Sequence, residues 1–268
     1  ARPGRWVSVG PHAGGRIQAL EAGPRGALYA GTHGAGVYRS TDAGATWRPM
    51  ERGLVNAVVN DVAAADDGER VYAATDSGVY RSPEGGRSWV PVLPVPATGI
   101  AVHPHRSQTV FALAQGLRWS RDGGQTWEAV DLQRDGSAIA CDPAASFVIT
   151  GRAVYTVSDT AVAFAHETGL PDGVRAVAVD PGDSRWVYAG TEDSVYLSQD
   201  GGRTWLAFVA AEWRGRNLGA LALAADGASL YVGNGRGIYV SGDRGASWTP
   251  VASFGNAPTN AQGTTDSD

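Results

Sequence analysis

An eight-residue phrase recurs five times along the chain: Ser40 to Trp47, Ser82 to Trp89, Ser120 to Trp127, Ser198 to Trp205 and Ser241 to Trp248. Its grammar is Ser-x-Asp-x-Gly-x-(Thr/Ser)-Trp, with Glu84 in place of the Asp once. Successive tryptophans stand 42, 38, 78 and 43 residues apart. The wide gap leaves room for a sixth, degenerate copy, in which Asp159 precedes Phe164 by five residues as Asp200 precedes Trp205. A period of about 40 to 45 residues holding several short strands predicts radial blades. Each unit is too small to bury its apolar face alone, and stacking the units gives them a shared core.

The unit spanning Val174 to Phe208 illustrates the strand reading. An apolar innermost strand, Val174 to Val179, ends at the turn Asp180-Pro181-Gly182. Second and third strands follow at Trp186 to Gly190 and Ser194 to Ser198, then the phrase, then a last strand at Thr204 to Phe208. Four strands per unit result, each too short to stand alone. The phrase reads as a hairpin clamp. Its carboxylate accepts backbone N–H groups, its Gly takes a conformation closed to other residues, and its Trp buries a large apolar area. That structural role covers Asp42, Trp47, Glu84, Trp89, Asp122, Trp127, Asp200, Trp205, Asp243 and Trp248. The expected fold is all-β, a single propeller of six four-stranded blades, with seven blades as the alternative.

Residues 1 to 254 form one domain in this reading, and the polar segment from Gly255 to Asp268 a flexible tail or linker. Both Trp6 to Val9 and Ser247 to Val251 read as fourth strands, so the chain ends are expected to share one blade and close the ring. The formal charge is −5, with 22 Arg, no Lys and 27 acids, which argues against a nucleic-acid surface. Cys141, the single cysteine, sits in an innermost strand as a small buried hydrophobe, and no disulfide within the chain can form. No apolar run is long enough for a membrane-spanning helix. The expected compartment is extracytoplasmic, with a leader removed.

What differs between repeats is where function is expected. Aligning the innermost strands on their turns places Gln18, Asn60, Thr98, Ser137, Arg175 and Gly219 at one equivalent level, where they are expected to ring the central channel. Arg16 precedes Gln18, and Arg152 and Arg236 lie in second-to-third-strand loops that open on the same face. The connection from Val209 to Asn217 carries Trp213, Arg214 and Arg216. Trp213 reads either as an anchor for a partner or as a lid folded over a blade junction. Asp76, Glu192 and Asp193 are acids in loops of that face. His103-Pro104-His105 reads as a turn on the opposite face, and His12, His33 and His166 are scattered, so no metal site and no cofactor is expected.

The phrase is identified as the Asp-box of the BNR-type repeat, a resemblance that runs over roughly residues 15 to 252. Within that class the single-propeller architecture most resembles the photosystem II stability and assembly factor group. That resemblance implies a non-catalytic scaffold that holds a protein partner, or a glycan, on its channel face with an arginine patch. Two enzyme resemblances form the alternative. Arg16-Ile17-Gln18 is similar to the Arg-Ile-Pro motif of sialidases, with Gln18 in the Pro position. Gly14 to Ile17 resembles a phrase of xyloglucan-degrading glycoside hydrolases, whose two catalytic carboxylates lie between two propellers; this chain has repeats for one. The nine tyrosines all recur at second- or third-strand positions and leave none over as a sialidase nucleophile. The chain is expected to be a monomer or one part of a larger assembly.

Overall fold

The computed structural model describes residues 17–42, 44–54, 58–130, 138–142, 147–150, 153–158, 160–180, 182–191, 194–208, 218–223, 229–234 and 237–253. They form six four-stranded antiparallel sheets, so the count is six blades and not seven. Blade 1 contains β1 (Ile17–Ala22), β2 (Leu28–Thr32), β3 (Val37–Ser40) and β4 (Arg48–Pro49). Blade 2 contains β5 (Val59–Ala64), β6 (Val71–Thr75), β7 (Gly78–Ser82) and β8 (Val90–Leu93). Blade 3 contains β9 (Gly99–Val102), β10 (Val110–Leu113), β11 (Leu117–Ser120) and β12 (Glu128–Ala129). Blade 4 contains β13 (Ile139–Cys141), β14 (Phe147–Thr150), β15 (Ala153–Val157) and β16 (Val162–Glu167). Blade 5 contains β17 (Ala176–Val179), β18 (Val187–Gly190), β19 (Val195–Ser198) and β20 (Leu206–Phe208). Blade 6 contains β21 (Leu218–Leu223), β22 (Leu230–Asn234), β23 (Gly237–Ser241) and β24 (Thr249–Ser253).

Each sheet runs in chain order from its innermost strand outward. The innermost strands pack side by side, β1 on β5, β5 on β9, β9 on β13, β13 on β17 and β17 on β21. Core side chains fill the seams between neighbouring blades. The second strands carry much of this burial, with Tyr29, Tyr72 and Tyr188 almost fully enclosed beside Val71, Val110 and Val187. The anticipated fourth strand of the last blade is present as β24. The segment Trp6 to Val9, expected to close the ring with it, lies outside the described residues, as does the chain from 254 onward.

The boxes do the work their residue types imply. In blade 3 the Ser120 hydroxyl donates to Asp122 Oδ1 at 2.8 Å and accepts the Gly124 N–H at 2.8 Å. Asp122 in turn accepts the Thr126 N–H at 2.9 Å and the Thr126 hydroxyl at 2.6 Å. The same bonds recur around Asp42, Asp200 and Asp243. The box glycines Gly44, Gly86, Gly124, Gly202 and Gly245 have φ between 87° and 96°, where a side chain would strain the turn. Hydrogen bonding holds the four carboxyls at a pKa of about 2. The Thr46 hydroxyl leads at Asp42 and the Ser247 hydroxyl at Asp243. At Asp122 and Asp200 burial pushes upward, and the bonds from Thr126 and Thr204 outweigh it. The Trp127, Trp205 and Trp248 indoles each donate to their own box glycine carbonyl, at 3.1, 3.2 and 3.1 Å.

Blade 2 departs from this pattern. Ser82 still accepts the Gly86 N–H at 2.8 Å, but the longer Glu84 side chain makes none of the carboxylate bonds that the four aspartates make. Trp89 instead donates across the seam to Met50 O of blade 1 at 2.9 Å and is almost fully buried.

Blade 4 corrects the expected sixth copy. Phe164 pairs with Tyr155, whereas the equivalent Tyr196 pairs with Ala207, two residues beyond the box Trp205. Phe164 therefore occupies the position of Ala207, and Val162 stands where Trp205 would. The link is two residues shorter, and a turn closed by Ser158 N–H to Ala161 O at 2.9 Å replaces the box. Asp159 lies outside the described residues.

Candidate functional site

The face formed by the second-to-third-strand loops has a built rim. Strands β1, β5 and β21 each carry a bulge whose extra residue is Gln18, Asn60 or Gly219. In blade 3 the Thr98 N–H donates at 2.9 Å to Leu113 O, whose residue already pairs with Gly99. In blade 5 the Arg175 N–H donates at 2.7 Å to Gly190 O, whose residue already pairs with Ala176. The same two-against-one arrangement thus recurs at one level of five innermost strands, at the positions read as equivalent from the sequence. A bulge frees a side chain from the ladder and re-aims it. Gln18, Thr98 and Arg175 are exposed there, and Asn60 is half-buried.

Asn60 shows how the rim is braced. Its amide donates to Asp76 Oδ1 at 2.8 Å and to Ala97 O at 3.0 Å, tying a loop of blade 2 to the segment entering blade 3. Threonines ending the second strands stiffen the neighbouring turns. The hydroxyls of Thr32, Thr75 and Thr191 donate to Gly36 O, Gly78 O and Ser194 O at 2.8, 2.7 and 3.2 Å. Of the expected binding residues, Gln18, Asn60 and Arg175 are placed at this rim. Arg16, Arg152, Trp213, Arg214, Arg216 and Arg236, with the loop acids Glu192 and Asp193, lie outside the described residues.

Sequence reading missed a second feature, inside the channel. A cavity of about 440 Å³ runs along the innermost strands of blades 1 to 4, and Glu21, Asp61 and Cys141 border it among aliphatic side chains. Glu21 Oε1 accepts the Ala64 N–H at 3.3 Å. Asp61 Oδ2 accepts the Ile100 N–H at 2.9 Å, and its Oδ1 accepts the Val62 N–H at 2.9 Å. An innermost strand is a sheet edge, and these carboxyls satisfy channel-side N–H groups that have no ladder partner. Burial raises Glu21 to a pKa of about 7, with the charges of Asp61 and Asp66 adding to the rise and the Ala64 bond opposing it. Burial also raises Asp61 to about 7 against its two backbone bonds. The Cys141 thiol is pushed up to about 12 by burial and then by Asp142. The sequence signal was an acid inside an apolar strand, Glu21 after Ala19-Leu20 and Asp61 before Val62-Ala63-Ala64.

His103 takes the turn role expected of it. Buried after β9, it accepts the His105 N–H on Nδ1 at 3.1 Å, and burial, then Arg106, lowers its pKa.

Comparison with known proteins places these features in a wider set. The BNR/Asp-box repeat family matches residues 118–129. No curated protein sequence matches the chain. Among solved structures, a GH74 enzyme from Niastella koreensis is similar at a TM-score of 0.67 and 18% identity, over 87% of this chain and 46% of the enzyme. The chain therefore spans less than half of that enzyme's length. YCF48 bound to D1 peptide is similar at a TM-score of 0.62 and 16% identity, over 88% of this chain and 81% of that protein. The extracellular domain of a one component system from B. thetaiotaomicron is similar at a TM-score of 0.69 and 16% identity, over 90% of this chain and 34% of that one. At such identities the likeness is one of fold. The chain is a six-bladed β-propeller that carries the BNR/Asp-box repeat.

Proposed function

We propose that the chain is a non-catalytic binding propeller that holds a protein partner against the rim of its channel in an extracytoplasmic compartment. The observation that carries this reading is the repeated bulge. It delivers a different side chain, Gln18, Asn60, Thr98 or Arg175, to the same level of the innermost strands of blades 1, 2, 3 and 5. A braced row of unlike polar groups suits recognition of an extended polar segment, because four blades each contribute one contact on a stiff support. The proposed surface extends through Arg16, Arg152, Trp213, Arg214, Arg216 and Arg236, which add positive charge and an aromatic anchor. The similarity in fold to a protein bound to a peptide supports this reading, and the one to an extracellular domain supports the compartment. Hydrolysis of a glycan is the second reading, and the described carboxyls of the channel and its rim already have partners. Asp76 is engaged by Asn60, and Glu21 and Asp61 each accept strand N–H groups.

The test is a pull-down from the source organism's extracytoplasmic fraction beside a glycan array, with wild type and an Arg175→Ala, Trp213→Ala, Arg216→Ala triple variant. A protein retained by wild type and lost from the variant is the expected result. A glycan consumed over time by wild type would overturn the non-catalytic reading.

A further inference from the structure

We infer that the hub of blades 1 to 3 carries a proton-operated latch, in which uncharged Glu21 and Asp61 hold adjoining innermost strands together and their ionisation loosens those seams. The latch lies in the channel and is separate from the proposed rim surface. Glu21 belongs to blade 1 and grips Ala64 of blade 2; Asp61 belongs to blade 2 and grips Ile100 of blade 3. Two consecutive seams are therefore bridged by acids that border one cavity.

Among the described residues, the groups facing these acids are all acidic or uncharged. Glu21 meets Asp61 and Asp66 from blade 2, and the cavity wall beyond them is Cys141, Pro104 and aliphatic side chains from β5, β9 and β13. No arginine lines that wall among the described residues, and the chain contains no lysine. Ionisation strengthens each accepted N–H bond, but two anions in a partly enclosed apolar channel lose hydration and repel each other, with no cation among the described residues of the wall to offset either cost. The folded hub therefore favours the protonated carboxyls.

The direction of the pH dependence follows by linkage. Both groups have a pKa of about 7 in the folded chain, above the ordinary carboxyl values of 4.5 and 3.8. The folded state then binds more protons than the unfolded one between those limits. The contribution to stability is complete below the ordinary values and is lost as pH rises through about 7.

Two measurements on the wild-type chain test this. The amide proton shifts of Ala64 and Ile100, followed by NMR, are expected to titrate with midpoints near 7, because each amide donates to one of the two carboxyls. Midpoints below about 5, in the ordinary carboxyl range, would overturn the proposal. Cys141 reports the opening. Its labelling by methyl methanethiosulfonate should rise about tenfold per pH unit from thiolate formation alone. Between about pH 6 and 8 a steeper rise is expected in wild type, and a plain tenfold rise in the Glu21→Gln, Asp61→Asn double variant. A plain tenfold rise in wild type would equally overturn the latch, and that outcome is read without the variant should it fail to fold.

Discussion

Blades 3 and 4 are neighbours with the same four-strand plan, and they close their outer hairpins by different means. In blade 3 a buried serine, a carboxylate and a threonine knit the link between β11 and β12 together, and Trp127 packs beneath it. In blade 4 the link is two residues shorter, a Ser158–Ala161 turn suffices, and the outer strand lengthens to the six residues of β16. Phe164 is 54% exposed and touches Tyr155 edge to face, with ring centroids 6.0 Å apart. The comparison teaches that the box is one solution to holding a short outermost strand, and that extra strand length is another. Each additional ladder pair replaces bonds that the box makes through side chains.

The position opposite the third-strand aromatic sharpens the contrast. It holds Pro49, Pro91 and Pro250 in blades 1, 2 and 6, and Glu128 in blade 3. Proline and charge are both devices that keep an outer edge from pairing with another chain. Blade 4 places Phe164 there and so presents the longer and less guarded edge.

The largest expected effect is in the aromatic residues. Trp89→Ala should cost about 3 to 5 kcal/mol, because it empties a buried site and leaves Met50 O without its indole donor. Phe164→Ala should cost less than about 1 kcal/mol, since most of that ring already meets water. Urea denaturation midpoints compare the two, and similar losses would break the contrast between boxed and unboxed blades.

Acid should separate the hairpins next. The four box aspartates have folded pKa values of about 2 against an ordinary 3.8. Their contribution is present above about pH 4 and lost as pH falls through about 2. Amide protection at Thr126 and Thr204 is expected to fall over that range while protection at Ala161, held by the Ser158 hydroxyl at 3.0 Å, stays level. A parallel fall at all three amides would mean that the boxes are not local clamps.

The smallest expected change is a gain. Glu84→Asp shortens the side chain to the length that reaches both groups of the residue four positions on in the other boxes, here Ser88. The variant should be more stable by about 0.5 to 1.5 kcal/mol, read as a rise in melting temperature. An unchanged or lower value would show that blade 2 is held by the Trp89 bond across its seam instead.

Blade number, strand order and the rim level were all legible in the sequence, for a physical reason. Repeats must satisfy the same packing constraint six times, so aligning them averages out individual variation. That alignment found the bulge level through Gln18, Asn60, Thr98 and Arg175 without knowing that a bulge was there. It failed at Phe164 because a link two residues shorter brings the counterpart of Ala207 to five residues from Asp159, the spacing that separates Asp200 from Trp205, and spacing alone cannot show which strand residue an aromatic opposes. Glu21 and Asp61 were missed for a different reason. Their partners, Ala64 and Ile100, lie 43 and 39 residues away, in the next blade. Those bonds exist only once the blades stand side by side, so no local pattern encodes them.

The bulged rim has one more consequence, which concerns how such a protein changes over generations. At Gln18 the chain holds an exposed residue that no ladder partner opposes, so its identity is decoupled from the sheet that carries it, whereas the bulged Asn60 is kept by the two bonds of its amide. If the rim is the binding surface proposed above, substitution at Gln18 tunes what it recognises with little penalty to folding. Because the arrangement recurs in several blades, the same reading lets a new specificity be composed one blade at a time.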